Sequence, residues 1–214
     1  MTGLGGRILY RVARAILLSA CRILFRVHVS GLELVPDRGP YIIAPSHRSL
    51  LDIPFAAFVT RRRVCFMAKK ELFESRALAW AIDAFGGFAV DRGTADRAAL
   101  RSAAAVLDRG EPLALFPEGT RNQGAALGAL FDGAAFLAAR TAVPIVPVGI
   151  GGSEEILASG KRWPRFRRVE IVVGPPIAPP LMDGRVRRRQ VGALTATLSE
   201  ELQTVFSEAL ARAR

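Results

Sequence analysis

Cysteine and histidine are both scarce in this chain, with two of each among 214 residues. Cys21 and Cys65 belong to no CxxC motif and to no Cys/His cluster, so the sequence predicts neither a disulfide framework nor a metal site. Free thiols of this kind are typical of a reducing, cytoplasmic setting. The G-x-S-x-G motif is also missing, so no serine is marked as a nucleophile by a strand–turn–helix elbow.

The N-terminal segment lacks a long uncharged run. Its longest uncharged stretch, from Ala15 to Cys21, has seven residues, whereas a helix that crosses a bilayer needs about 20. The arginines at positions 7, 11, 14, 22 and 26 fall within about 120° of one helix, and aliphatic residues cover much of the rest. This pattern predicts a basic amphipathic, membrane-associating helix over residues 1–30.

Two other interpretations of this segment stay open. The sequence LSAC, from Leu18 to Cys21, resembles a bacterial lipoprotein cleavage site, but the apolar stretch before it is short and contains Arg14. The segment is also compatible with a helix that packs on a core and leaves its arginine face solvated. The two helical interpretations can both hold, along different parts of the helix.

Acidic residues are outnumbered, with 19 Asp and Glu against 30 Lys and Arg, which gives a formal net charge of +11. This balance predicts an anionic partner: nucleic acid, anionic lipid or a phosphorylated substrate. The stretch KRWPRFRR, residues 161–168, interleaves aromatic and basic side chains. It could contact nucleic acid or a lipid surface, or form a solvated loop.

Short apolar runs alternate with helix-like stretches along most of the chain. The runs predict strands over residues 41–44, 64–67, 88–90, 113–116, 145–148 and 169–173. Helices are expected over residues 50–59, 70–84, 94–107, 125–140 and about 186–211, with Thr94 as an N-cap. This alternation predicts a single α/β domain with a largely parallel, mixed sheet flanked by helices.

The stretch SHRSLLD places His47 five residues before Asp52, just after a predicted strand. A carboxylate can orient a histidine ring and stabilise its protonated form, which would make His47 a general base. Positions i and i+5 lie about 140° apart on a helix, so the pair meets only if His47 lies in the turn before the helix. The residues alone are also compatible with a loop histidine and an aspartate that favours a helix N-terminus.

Two further strand ends carry groups suited to a phosphorylated substrate. FPEGTR, residues 116–121, follows a predicted strand, and the guanidinium of Arg121 suits a phosphate. Glu118 could hold a substrate hydroxyl or position an arginine. Arg92, after another strand, is a second phosphate donor. An ordinary turn with a surface salt bridge is the alternative interpretation of FPEGTR.

In order along the chain, HRSLLD, FMAKKELF, GGFAVDR, FPEGTR and VPIVPVGI resemble the sequence blocks of the glycerolipid acyltransferase family, the PlsC-like lysophosphatidic acid acyltransferases. Each block alone is weakly specific, but their order and spacing over residues 41–150 make the resemblance specific. Two positions depart from the family pattern: Ser46 stands where Asn is common, and Ala89 stands where an aromatic residue is usual.

The resemblance implies acyl transfer from acyl-CoA or acyl-carrier protein to the free sn-2 hydroxyl of lysophosphatidic acid, giving phosphatidic acid in phospholipid biosynthesis. It implies that His47 is the general base and Asp52 its orienting acid. The acceptor would be bound by Arg92, Glu118, Gly119, Thr120 and Arg121, with the arginines on its phosphate. Pro147 would serve acyl-donor binding or the fold.

The resemblance further implies an acyltransferase domain over residues 31–214 with no bound cofactor and no metal. Membrane lipids are the expected partners, at the cytoplasmic face of the cell membrane, with the protein peripheral or monotopic. No nucleic-acid partner is expected, because nucleic-acid binding would leave the apolar N-terminal helix unexplained. Another lysophospholipid or glycerol 3-phosphate as acceptor, and a non-catalytic membrane-binding protein, are the alternatives.

Overall fold

Seven strands form one sheet in the computed structural model of this chain, which describes residues 4–90, 97–156, 165–180 and 186–214. The strands are β1 (His28–Ser30), β2 (Ile42–Pro45), β3 (Cys65–Lys69), β4 (Gly87–Val90), β5 (Leu113–Ala114), β6 (Ile145–Gly151) and β7 (Glu170–Val173). The helices are α1 (Leu4–Leu24), α2 (Asp52–Ala56), α3 (Arg76–Ala84), α4 (Arg97–Asp108), α5 (Gly133–Thr141), α6 (Ser153–Ile156) and α7 (Arg188–Ala213).

The strand order is β1-β7-β6-β2-β5-β3-β4. All neighbouring pairs are parallel except β6 and β7, so β7 and β1 run against the other five strands. The predicted α/β class and the largely parallel, mixed sheet are confirmed. The sequence analysis missed β1, because a three-residue edge strand is too short to show an alternating pattern. The predicted division of the chain into residues 1–30 and 31–214 stays a prediction. Within the first of these segments, β1 (His28–Ser30) is a strand of the main sheet.

Buried residues cover both faces of the sheet, as expected for parallel strands with helices on each side. Ile43 of β2 packs with α1 and α2 residues such as Cys21 and Phe55. Its neighbour Ile42 points to the other face, where α4, α5 and α7 pack. Because successive side chains of a strand alternate, each central strand contributes to both cores.

Helix α7 lies unusually close to β6. A Cβ atom on Gly149 would be 2.2 Å from the carbonyl oxygen of Val205, and one on Gly151 would be 2.3 Å from that of Ala209. Only glycine allows the helix backbone to approach the strand this closely. The two glycines therefore fix α7 against the centre of the sheet.

The helix predicted over residues 125–140 is wrong in its first half, because α5 begins only at Gly133. Residues 122–132 form a loop whose N–H groups bond to distant side chains. The Leu127 N–H donates to Gln203 Oε1 at 2.9 Å, and the Gly128 N–H donates to Glu118 Oε2 at 2.8 Å. These tertiary bonds replace the local bonds of a helix. The helix predicted over about 186–211 matches α7, the remaining predicted helices match shorter helices and 3-10 turns, and Thr94 lies outside the described residues.

Helix α1 presents two different faces. Leu17 and Cys21 pack on the core, and Arg14 donates from Nη2 to the carbonyl oxygens of Ala57 and Thr60. The other face is exposed along the described helix, so core packing and an exposed amphipathic surface occur together. None of the described helices has the length and apolar character needed to span a membrane.

Candidate active site

His47 lies in the turn between β2 and α2, at the carboxyl end of the central strand. Its Nδ1 is 3.1 Å from Oδ2 of Asp52, the first residue of α2. The predicted geometry is confirmed: His47 precedes the helix, Asp52 begins it, and the two side chains meet. The His47 side chain retains 11% of its exposure, while the Asp52 side chain is fully buried.

Asp52 organises the whole turn. Its Oδ2 accepts the backbone N–H groups of Arg48 at 2.5 Å and Ser49 at 2.6 Å, besides the ring nitrogen of His47. Because a carboxylate only accepts, the nitrogen of His47 facing it is the donor, which leaves Nε2 as the basic atom. The sequence spacing therefore produces a histidine oriented for proton abstraction.

Ser46, where the family pattern commonly has Asn, joins this turn to the neighbouring strand. Its N–H donates to the Val148 carbonyl at 3.0 Å, and its Oγ accepts the Ile150 N–H at 3.0 Å. The hydroxyl is fully buried and serves the backbone. Serine is therefore compatible with the turn that presents His47.

Phe116 packs on the His47 ring from the end of β5. The two ring centroids are 4.1 Å apart and the planes are inclined by 31°. Because β2 and β5 are parallel neighbours, their carboxyl ends bring SHRSLLD and FPEGTR to the same edge of the sheet.

Glu118 is fully buried beneath this edge and does not face solvent. Its two oxygens accept the His47 N–H at 2.9 Å, the Gly128 N–H at 2.8 Å, the Asn122 amide at 2.8 Å and the Arg48 Nη1 at 2.9 and 3.0 Å. Burial alone would raise the pKa of the Glu118 carboxyl, but the Gly128 N–H, the Arg48 guanidinium and the His47 N–H together hold that pKa below its ordinary value.

Arg48, which the sequence analysis did not single out, is the cation that neutralises this carboxylate. Its Nη1 also donates to the His47 carbonyl at 2.9 Å, Nη2 to the Ala126 carbonyl at 2.9 Å, and Nε to the Gly124 carbonyl at 3.2 Å. Its guanidinium lies 4.5 Å from the ring centroid of Phe206 in α7. Arg48 lies next to His47 in the sequence, but its side-chain partners Glu118, Gly124 and Ala126 lie 70 or more residues away.

The turn after β5 presents Thr120 and Arg121 to solvent. Gly119 has φ of 66°, in the left-handed region that favours glycine, and a Cβ there would also lie 2.8 Å from the ring of Phe131. Thr120 and Arg121 are exposed, and Arg121 forms no ion pair within the described ranges. An exposed arginine beside the His47 turn has the donor geometry that suits an anion.

Two of the predicted site residues remain to be placed. Arg92 lies outside the described residues, so its role stays a prediction. Pro147 is buried in β6, opposite Ala44 of β2, and its carbonyl accepts the Gly174 N–H at 2.9 Å. In the structure Pro147 is thus part of the sheet behind the His47 turn.

An apolar cavity of about 190 Å³ begins at Phe116 and extends beneath α1. Its walls are formed by α1, α2, β3 and β5, through Tyr10, Arg14, Leu17, Leu18, Ile53, Pro54, Ala57, Val64, Phe66, Phe85, Ala114 and Phe116. Val64 precedes β3 and Phe116 follows the neighbouring parallel strand β5, so the cavity runs along these two strands from their amino ends toward the carboxyl end of β5. The sequence analysis did not detect it, because its walls come from five separate segments.

No group of three or more potential metal ligands occurs among the described residues. Cys65 is buried, and burial together with its hydrogen bond to Glu111 raises the pKa of its thiol to about 12. It is therefore a protonated core residue at neutral pH. The chemically competent groups at this edge are His47, Asp52 and the exposed arginine of FPEGTR.

A family model described as Acyltransferase matches residues 26–151. This range includes the His47 turn and the FPEGTR segment. The 1-acyl-sn-glycerol-3-phosphate acyltransferase of Streptococcus pneumoniae is 31% identical over 177 residues, covering 81% of this chain and 64% of that protein. The 1-acyl-sn-glycerol-3-phosphate acyltransferase alpha of Bos taurus is 30% identical over 186 residues, covering 86% of this chain and 63% of that protein. The chain thus spans less than two thirds of the length of these two curated relatives.

The fold is also similar to a solved structure. The crystal structure of the 1-acyl-sn-glycerophosphate (LPA) acyltransferase PlsC from Thermotoga maritima superposes with a TM-score of 0.74 and 26% sequence identity. The match covers 98% of this chain and 89% of that chain.

Proposed function

Because this chain belongs to the Acyltransferase family, we propose that it transfers a fatty acyl group to the free sn-2 hydroxyl of lysophosphatidic acid, giving phosphatidic acid in phospholipid biosynthesis. The names of its relatives support this acceptor. The observation that carries the proposal is the 3.1 Å contact between His47 Nδ1 and the fully buried Asp52.

The chemistry is a direct transfer from thioester to hydroxyl. His47 Nε2 takes the proton of the acceptor hydroxyl as its oxygen bonds to the thioester carbonyl carbon. The tetrahedral intermediate then breaks its carbon–sulfur bond, and the sulfur leaves as the thiol of coenzyme A or acyl-carrier protein after taking the proton from His47. Asp52 stabilises the imidazolium formed in between. General-base catalysis of this kind is worth about 10²–10⁴ in rate.

Arg121 is proposed to bind the phosphate of the acceptor. It is exposed in the turn after β5, and the adjacent Asn122 donates its N–H to the His47 carbonyl at 3.0 Å. A phosphate on the Arg121 side would therefore leave the glycerol hydroxyl near His47. Arg92, as a second phosphate donor, and Thr120, as a hydroxyl donor, complete the proposed acceptor site.

The apolar cavity is proposed to take the acyl chain. It starts at Phe116, whose ring also contacts His47, so a chain inside it would place its thioester end beside the general base. Removing apolar surface from water contributes about 25 cal/mol per Å² to the free energy of binding. A cavity with apolar walls therefore favours an alkyl chain over a polar group. No cofactor is needed, because the acyl thioester is a co-substrate.

We propose that the exposed face of α1 binds an anionic membrane at the cytoplasmic face of the cell. Val12, Ile16 and Ile23, named here the α1 apolar strip, lie within about 40° of one another on the helix and are 50%, 66% and 76% exposed. Arginines flank the strip, and Phe166, 65% exposed, stacks on Phe25 near the end of α1. Exposed aliphatic residues beside arginines are typical of interfacial helices.

The test is acyl transfer from radiolabelled acyl-CoA and acyl-carrier protein to lysophosphatidic acid, other lysophospholipids and glycerol 3-phosphate. His47→Ala is compared with His28→Ala, a matched control, because His28 Nδ1 also lies 3.1 Å from a buried carboxylate, Glu170, but its side chain is 60% exposed. We expect lysophosphatidic acid to be acylated fastest, His47→Ala to lose at least 10²-fold, and His28→Ala to keep wild-type activity. Absence of transfer from both donors to every acceptor contradicts the proposal.

A further inference from the structure

Glu118 occupies a position that the family resemblance assigns to acceptor binding, yet its environment is that of a buried structural carboxylate. Its side chain has no exposed surface, and five hydrogen bonds from four residues of the protein fill its acceptor positions. An acceptor hydroxyl could reach it only by displacing one of these bonds. The exposed Thr120 and Arg121 of the same segment face no such barrier.

Arg48 connects Glu118 to the general base. Its backbone N–H bonds to Asp52 Oδ2 at 2.5 Å, its side chain bonds to both oxygens of Glu118, and Nη1 also bonds to the His47 carbonyl. The backbone N–H of His47 is bonded to Glu118 as well, at 2.9 Å. The position of His47 is therefore held on one side by Asp52 and on the other by the Arg48–Glu118 pair.

The same pair holds the loop of residues 117–131, which carries Arg121. Arg48 donates to the carbonyls of Gly124 and Ala126, and Glu118 accepts from Asn122 and Gly128. This loop and the His47 turn are thus joined through one ion pair that is fully buried on both sides. A buried charge left without its partner is strongly unfavourable, so the two segments keep one relative arrangement.

We propose that Glu118 is a positioning residue, which acts through Arg48 to set the distance between the general base His47 and the loop that carries Arg121, and that it is not a ligand of the acceptor. This inference rests on the proposed acyl transfer for its kinetic test. It gives Arg48 a role in the reaction, although its guanidinium is buried away from solvent.

The kinetic test compares Glu118→Gln and Arg48→Met, each alone and together, with Arg121→Gln as the control for acceptor binding. We expect Glu118→Gln to lower kcat at least tenfold and to leave KM for the lysophospholipid within threefold of wild type, while Arg121→Gln raises that KM. The double variant is expected to lose no more than the worse single variant, since residues that act as a unit are not additive. A raised KM with unchanged kcat in Glu118→Gln, or losses that multiply in the double variant, overturns the proposal.

A second readout does not depend on turnover. The chain has two histidines, so ¹³C-labelled histidine gives one Cε1–H resonance for His47 and one for His28, assigned with His28→Ala. In Glu118→Gln we expect the His47 resonance to move and the His28 resonance to stay. An unchanged His47 resonance overturns the positioning role even in a protein that transfers no acyl group, which separates its failure from failure of the proposed function.

Glu118→Gln could fail to fold, because it leaves the Arg48 charge buried. Both histidine resonances would then take the positions of the unfolded chain. In that case Arg48→Lys is used as the test variant in place of Glu118→Gln. That variant keeps the charge but cannot bond to Glu118, Gly124 and Ala126 with one fork. We expect it to lower kcat with an unchanged KM and to move only the His47 resonance. A wild-type kcat in Arg48→Lys overturns the proposal.

Discussion

The ring of Phe116 lies 4.1 Å from the ring of His47, centroid to centroid. The same phenyl ring lines the apolar cavity beneath α1. One aromatic side chain therefore separates the polar site from the apolar one and contacts both. His47 is oriented by a carboxylate at Nδ1 and by an aromatic face, which leaves the lone pair of the neutral ring on Nε2.

Replacing Asp52 by Asn tests how His47 is oriented. Asn keeps the shape of Asp52 but loses the charge that stabilises the imidazolium, so we expect kcat to fall about 10²–10⁴-fold with little change in KM. Steady-state kinetics with lysophosphatidic acid measure this. Glu170→Gln, which alters the carboxylate beside His28, is the control and should retain wild-type kcat; a similar loss in both variants would point to a general effect on folding.

The cavity predicts which substitutions change acyl-chain preference. Phe85 and Tyr10 contact edge to face, with ring centroids 6.5 Å apart, at the end of the cavity away from Phe116. Phe85→Ala opens that end, and Ala114→Ile fills the cavity from β5. We expect the first variant to shift preference to longer acyl donors and the second to shorter ones, measured by competition among donors of increasing chain length. Equal shifts of donor preference in the same direction in both variants would show that the acyl chain binds outside this cavity.

Membrane binding is expected to depend on the α1 apolar strip. Ile16→Asp and Ile23→Asp place a charge on the face proposed to enter the lipid interface, and should reduce co-flotation with anionic vesicles at least tenfold. Ala196→Asp, at an exposed position of α7 on the opposite side of the sheet, adds the same charge and should leave flotation unchanged. Equal flotation of all three variants would refute this surface.

Acid should destabilise the protein through Glu118. The folded-state pKa of its carboxyl is lowered from an ordinary value of 4.5, so the ionised form favours the folded state. This stabilisation is fully present above pH 4.5 and is lost as the pH falls through the lowered folded-state pKa. Urea denaturation from pH 6 to pH 3 should show a steeper fall in the free energy of unfolding for wild type than for Glu118→Gln. Parallel curves would mean that Glu118 does not titrate with folding.

The contact between β6 and α7 should tolerate no side chain. Gly149→Ala puts a Cβ 2.2 Å from the Val205 carbonyl oxygen, so the helix backbone must move, and we expect a loss of about 3 kcal/mol or more in the free energy of unfolding. Gly192 lies on the exposed face of α7, and a Cβ added there would have no atom within 4 Å. Gly192→Ala should therefore raise the free energy of unfolding by about 0.5–1 kcal/mol. Chemical denaturation of both variants measures the two effects, and equal changes would contradict the close packing.

Local sequence patterns were sufficient to predict several features of this protein. The buried strands and their alternation with helices appear in the sequence because apolar runs and helical spacing are local properties. The contact between His47 and Asp52 was predictable because the two residues are five positions apart, with the first in a turn and the second at the start of the following helix. The basic, apolar character of α1 was visible in the same way.

Contacts between distant segments could be recognised only in the folded chain. Arg48 and Glu118 are separated by 70 residues, and neither shows from its neighbours that the other is its partner. The first half of the helix predicted over residues 125–140 is absent, because tertiary hydrogen bonds formed at residues such as Gly128 outweigh local helical preference. The cavity needs walls from several elements at once. By itself the sequence determined six of the seven strands and the proximity of His47 and Asp52, because these depend on local patterns, while the tertiary structure decided which buried charges meet and which elements enclose the apolar cavity.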